Sequence, residues 1–359
     1  MSACAGLGDR VRGIQFALLL AVATQRVFLL DWPSDPFPIH IASRPSQIDW
    51  TMPAHMSRRE AHLFLSWYSC WKSLPCAVPK NHRFPSLSYL PMQTKHSLVS
   101  GLLSFETPPT VNILRHDLRA IWRPYKVIRI AERLGYTAVQ ALLDNQRLQP
   151  YLGELSQYSK RDVKRLLTQM IFYPSESVSE RMHRFGLQQA PYVGVHVRSG
   201  EDFGESDHRF DLVKSNLTTA SLQILRCVTS AFQNNTLPLN STSDRVLDMY
   251  VASDSKTLKV LMAQHAKRFN VRVHSLSSTA MHLAVNRREG VRSVEGWREM
   301  FRNVFVDLFM LSKSVALFTT GSGFSDAAWS LSENTPFFRI ELDKRNPDAN
   351  CNLKRIYER

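Results

Sequence analysis

The sequence predicts an α/β protein of two domains, and three observations predict it. From Tyr192 onward, short runs rich in β-branched and aromatic residues alternate with segments of helical length and period. At 359 residues the chain exceeds the size at which a single hydrophobic core usually keeps growing. Its apolar fraction of 44% is that of a globular protein and excludes a mostly disordered one.

The chain opens with "CAGLGDRVRGIQFALLLAVATQRVFLLDW", in which Gly6 and Gly8 bracket Leu7, and Asp9 and Arg10 stand at the entrance of an apolar helix. Residues 11–24 read as that helix, buried, and 26–31 as a strand, together half of an α/β unit. Glycines allow a tight turn and close approach to a ligand, and a helix start presents unpaired N–H groups. The opening is therefore a candidate ligand turn, although the same pair of glycines also serves plain packing. Pro33, Pro36 and Pro38 end regular structure. A helix is expected over 61–71, a strand at "TVNILRHD", and helices near 126–145 and 160–172. The domain boundary is expected within "YPSESVSERMHRFGLQQAP", dividing 1–175 from 176–359.

Beyond the boundary come strands "YVGVHVR", "VLDMYVAS", "VRVHSL", "VALFTT" and "PFFRIEL", with helices near 217–232, 256–266, 297–311 and after Gly323 between them. Such alternation implies a parallel sheet covered on both faces. Ligands of these sheets bind at the carboxyl ends of the strands. Three strand ends carry polar chemistry that a core does not need: His196 and Arg198, with the acidic loop holding Asp202 and Glu205; Asp254 in "YVASDS"; and Ser322, Gly323 and Phe324 in "LFTTGSGFSDAAW". The last resembles an anion-holding nest of hydroxyls and backbone N–H groups. Together they describe a site for a phosphate-bearing ligand.

Each residue also has a plainer reading. Arg198 either holds an anion with its fork of donors or pairs with Glu201 or Asp202. His196, on the same strand face as Arg198, either touches the ligand base or supports the site through a hydrogen bond. Asp254 either caps the following helix or accepts the two N–H donors along one edge of a guanine. Phe324 either lines the site or packs in the core. The stretch after Arg198 lacks the Gly-x-x-x-x-Gly-Lys-Ser/Thr arrangement, which argues against a P-loop enzyme.

The formal charge of +14, from 45 basic and 31 acidic residues, favours phosphate-bearing partners. No Lys/Arg block or finger spacing is present, so nucleic acid is not an expected partner. Of five cysteines, Cys70 and Cys76 alone are close enough to suggest a local disulfide, and no C-x-x-C metal pair exists. Three glycosylation sequons cluster at Asn216, Asn234 and Asn240. The expectation is residence in the secretory pathway, in the Golgi or endoplasmic reticulum lumen. The apolar run 14–23 is too short to span a bilayer, so a signal or membrane anchor is expected only upstream of Met1.

Five motifs in a fixed order carry a resemblance. The Gly6-x-Gly8-Asp9-Arg10 opening, "FYPSESVSERM", "GVHVRSGED", "YVASDS" and "DLFMLSKSVALFTTGSGFSDAAW" resemble the motifs of the fucosyltransferase superfamily, which includes the alpha-1,2, alpha-1,6 and protein O-fucosyltransferases. The likeness spans roughly residues 3–330 and is weak between about 40 and 150. It implies a GT-B-like fold, two Rossmann-like domains facing across a cleft, with the N-terminal one on the acceptor side and the C-terminal one holding a GDP-sugar. It implies an inverting transferase that uses GDP-fucose as donor, needs no metal or other cofactor, and acts on a glycan or glycoprotein acceptor. Arg198 would hold the β-phosphate and assist departure of GDP. His196 and Asp254 would contact guanine or orient its pocket, and Ser322, Gly323 and Phe324 would line the diphosphate and sugar. Gly6, Gly8, Asp9 and Arg10 would approach from the N-terminal domain, and Asp9, Asp202 and Glu205 are the candidates for the base. The chain departs from the alpha-1,6 branch, which has two adjacent arginines where Arg198 is followed by Ser199. A transferase using another nucleotide sugar, or an inactive glycan-binding relative, is the alternative expectation.

Overall fold

The computed structural model describes residues 7–28, 30, 39–50, 87–89, 92–93, 98–100, 110–112, 117–122, 127–129, 138–187, 190–199, 216–234, 246–277, 293–333, 335–342 and 352–356. The chain divides into two compact units, Met1–Ser34 with Pro45–Phe172, and Asp35–Arg44 with Tyr173–Arg359. Its class is α/β.

The first unit is organised around one helix, α1, over Leu7–Thr24. Leu7, Val11, Ile14, Phe16, Leu19, Leu20 and Ala23 cover its whole circumference and are all buried, which marks a central rather than a surface helix. It packs against helices Leu118–Trp122, Ala138–Leu143 and α2, Lys160–Ile171. Its one buried amide is answered, since Gln15 donates to the Thr168 hydroxyl at 2.6 Å. Trp50 donates to the Ile171 carbonyl at 2.7 Å and pins the returning chain. Thr110–Asn112 belongs to a three-stranded antiparallel sheet, and Leu87–Tyr89 pairs in parallel with Val127–Arg129. The expected helix near 126–145 is therefore a strand followed by the short helix Ala138–Leu143. Residues 26–28 lie in no strand, and the helix expected over 61–71 lies outside the described residues. None of the described helices is long and apolar enough to cross a membrane.

The second unit is a six-stranded sheet. Its strands are β1 Val193–Val197, β2 Leu247–Ser253, β3 Val271–His274, β4 Ala316–Thr319, β5 Phe337–Glu341 and β6 Asn352–Ile356. In space they run β3-β2-β1-β4-β5-β6, all parallel except β6. The strand order reverses between β1 and β4. β6 was not expected from the sequence, because its polar residues, "NLKRI", form an edge that carries no alternating apolar signal.

Among the described residues, five α-helices accompany the sheet: α3 Glu176–His183, α4 Leu217–Gln233, α5 Lys256–Ala266, α6 Val294–Ser312 and α7 Gly323–Leu331. Each starts on a serine or asparagine whose side chain accepts a backbone N–H from the first turn, namely Ser175, Asn216, Ser255, Ser293 and Ser322. The stretch 176–183, within the segment where the domain boundary is expected, is thus a capped helix, with Val178 and Met182 buried one turn apart.

Val193, Val195 and Val197 of β1 join residues of α4 and α5 in one core. Each buried valine contributes about 1.5 to 3 kcal/mol. The alternate residues of β1 face α6 and α7. Gly194 is required there, because a Cβ at this position would lie 2.7 Å from the Ser314 hydroxyl. On the same face, the buried Tyr250 hydroxyl donates to Asp307 at 2.6 Å, and burial pushes that carboxyl up to about 6.

Candidate donor site at the carboxyl edge of the sheet

The parallel ladders bring the carboxyl ends of β1, β2 and β4 side by side at the point where strand order reverses. In open α/β sheets that point is where the two flanking loops part and leave a crevice. Here it holds Arg198, Asp254 and the turn into α7.

Asp254 follows β2 and is 3% exposed. Its Oδ1 accepts from the Ser199 backbone N–H at 2.6 Å and from the Ser199 hydroxyl at 2.8 Å. Its Oδ2 lies 3.0 Å from the Arg198 guanidinium, whose side chain is 12% exposed. A carboxylate this deep is tolerated because opposite charge and hydrogen bonds replace its water. The cap of α5 is Ser255, which accepts from the Leu258 N–H at 3.0 Å. Asp254 therefore acts on Arg198, and both of its oxygens are engaged by neighbours in the chain. Ser199, read as one donor fewer than an adjacent arginine would offer, is what clamps it.

The turn after β4 is tied to β1. The Thr320 N–H donates to the His196 carbonyl at 3.2 Å, and the Arg198 N–H donates to the Thr320 hydroxyl at 3.2 Å. Gly321 has φ +98°, a left-handed conformation that favours glycine. Its N–H donates to the Thr319 hydroxyl at 2.9 Å. Ser322 accepts from the Phe324 N–H at 3.2 Å and, with Gly323, opens α7. Ser322, Gly323 and Phe324 are half-buried, so the first turn of the helix borders solvent.

His196 is 6% exposed, and its Nδ1 is buried with no hydrogen-bond partner. Its ring lies 5.0 Å from that of Phe324. Burial drives its pKa from 6.5 down to about 4, with Arg198 adding to the shift and Asp254 opposing it. The imidazole is neutral at physiological pH. A buried polar atom left without a partner in the chain is open to a hydrogen bond from a ligand.

Of the other residues singled out from sequence, Gly8 and Arg10 are buried in the first turn of α1. The helix starts at Leu7, so Gly8 is helical and does not shape a turn before the helix. Asp9 also belongs to α1, with its side chain outside the described residues; Gly6, Asp202 and Glu205 lie outside them entirely. Among the described residues no group of three or more His, Cys, Asp or Glu could hold a metal ion.

A mutant of Arabidopsis thaliana FUT1, solved in complex with GDP, is 14% identical, with 97% of this chain covering 71% of that one at a TM-score of 0.53. The chain shares its fold with that protein. Less similar are the fucosyltransferase NodZ from Bradyrhizobium (14% identity, 98% of this chain and 96% of that, TM-score 0.45) and POFUT1 in complex with GDP-fucose (10%, 92% and 92%, 0.44). No protein-family model and no curated protein matches the sequence.

The neutral imidazole makes a direct prediction. NMR signals of the His196 ring should stay constant from pH 8 to about 5.5 and move only near pH 4; a midpoint near 6.5 would contradict its burial. Because the folded pKa lies below the unfolded one, the folded state binds fewer protons between about pH 4 and 6.5. Stability from this group is therefore lost as pH falls through that window, and His196→Gln should reduce the loss.

Proposed function

We propose that the chain is an inverting glycosyltransferase that moves fucose from GDP-fucose to a hydroxyl of a glycan or protein without a metal. The observation that carries this reading is a guanidinium fixed by a buried carboxylate at the strand-order reversal, beside a serine-capped helix start. The fold is supporting context.

In this reading the acceptor oxygen attacks the anomeric carbon of fucose from the face opposite GDP. The bond from that carbon to the β-phosphate oxygen breaks, GDP leaves with the electron pair, and the configuration inverts. The acceptor proton passes to a carboxylate, for which Asp9, Asp202 and Glu205 are the candidates. Arg198 neutralises charge that grows on the leaving diphosphate, and the N–H groups of the α7 turn add to it. Asp254 and Ser199 hold the guanidinium in place, so no reorganisation is needed as the bond breaks. Asp254 already serves Ser199 and Arg198 inside the protein, and a different nucleotide sugar is the competing donor.

We place the enzyme in the secretory lumen. Cys227 is disulfide-bonded, which suits an oxidising compartment. Asn216 and Asn234, at the two ends of α4, are exposed, and Asn216 caps the helix through its carbonyl oxygen, leaving the amide nitrogen for a glycan. Cys70, Cys76 and Asn240 lie outside the described residues. Peptide mass spectrometry of the protein from its own host should find glycan on Asn216 or Asn234; unmodified peptides together with a reduced Cys227 would place it elsewhere.

Calorimetric titration with GDP, UDP and ADP tests the donor. GDP should bind at least tenfold more tightly than the others, and equal affinities would remove the guanine assignment. Arg198→Lys should preserve the ion pair and the melting temperature while slowing GDP release from GDP-fucose about ten- to a hundredfold, since a point charge replaces a fixed fork. Normal turnover in that variant would take Arg198 out of the mechanism.

A further inference from the structure

Register across the sheet aligns three polar residues. His196 of β1 pairs with Thr319 of β4, and Thr319 pairs with Arg339 of β5, all in parallel ladders. Register partners in a parallel pair project to the same face. The opposite face of these strands carries Val195, Val197, Phe318, Phe338 and Ile340 in the core with α4 and α5. His196, Thr319 and Arg339 therefore form a row across three strands on the α6 and α7 side. Phe337, which precedes Arg339 by one alternation, stacks on Trp329 of α7. The Thr319 hydroxyl meets that of Ser325 in the first turn of α7 at 2.7 Å.

Arg339 ends this row under the turn into α7. A Cβ placed on Gly321 would stand 3.4 Å from the central carbon of its guanidinium, so the cation lies within van der Waals range of this turn. Arg339 is exposed while its neighbours Phe338 and Ile340 are buried. Among the described residues its guanidinium has no hydrogen-bond or ion-pair partner. At the other end of the row, the buried Nδ1 of His196 also lacks one. A cation without a carboxylate, a helix start and an unanswered buried nitrogen converge on one turn.

We propose that Arg339 is a second anion-binding arginine of this site, gripping the diphosphate of a nucleoside diphosphate from the side of the α7 turn opposite Arg198. The proposal rests on the reading of this edge as a donor site. Arg198, held by Asp254, is a fixed donor; Arg339, exposed and without an ion-pair partner among the described residues, moves onto the anion when it arrives. The pair supplies two guanidinium forks to a diphosphate although the residue after Arg198 is serine.

Titration of the full chain with GDP, guanosine and inorganic pyrophosphate, on wild type and on Arg339→Gln and Arg339→Lys, tests the proposal. Arg339→Gln should weaken GDP and pyrophosphate about tenfold, as expected for one lost charge-assisted contact at an exposed site, and leave guanosine unchanged. Arg339→Lys should recover part of the loss. The melting temperature should not move, since the guanidinium is exposed. Unaltered GDP affinity in Arg339→Gln overturns the role of Arg339 while leaving the donor site standing, and so does an equal loss for guanosine. Wild-type protein that binds pyrophosphate through Arg339 but shows no preference for GDP would keep the anion site and remove the GDP-sugar reading. Protein that binds neither GDP nor pyrophosphate overturns both.

Discussion

The ion pair between Arg198 and Asp254 is the constraint on which the rest of the site depends. Arg198 follows β1 and Asp254 follows β2, so the pair forms only if those strands are parallel, adjacent and in register. Burying the carboxylate raises the stakes, because removing either partner would leave a charge in a region with little water to receive it. Ser199 makes the arrangement specific. Its N–H and hydroxyl occupy one carboxylate oxygen and direct the other toward the guanidinium. The result is a positive group whose position is set before any ligand arrives.

The packing beneath explains how such a group stays fixed. The valines of β1 pack with α4 and α5 on one face, and Gly194 lets Ser314, just past the end of α6, approach on the other. Two backbone-linked contacts then tie β1 to the turn after β4. The cation, the neutral imidazole and the helix start thus hang from adjacent strands of one rigid sheet. Preorganised groups of this kind stabilise developing charge more than mobile ones do, because their reorganisation is already complete.

Much of this was legible in the sequence. The alternation of β-branched runs and helical segments gives the order of β1 to β5, and the polar residues at strand ends mark the functional edge. The pairing of Asp254 with Ser199 and Arg198 was not legible, since it joins residues 55 positions apart through strand register. Arg339 was invisible for the same reason, sitting in an apolar run whose alternation merely places it beside Phe337. The disulfide of Cys227 was hidden because connectivity among distant cysteines cannot be read from spacing. Helix α3 was not read from the sequence, although Ser175 is its cap and Val178 and Met182 its buried stripe.

Whether Arg198 holds a diphosphate is decided by a crystal structure of the protein with GDP. Density for the diphosphate should lie at the carboxyl edge, within hydrogen-bond distance of Arg198 and of the backbone N–H groups that open α7, with Asp254 still bound to Ser199. Nucleotide bound away from that edge, or an Arg198 that makes no contact with the diphosphate, would contradict that placement.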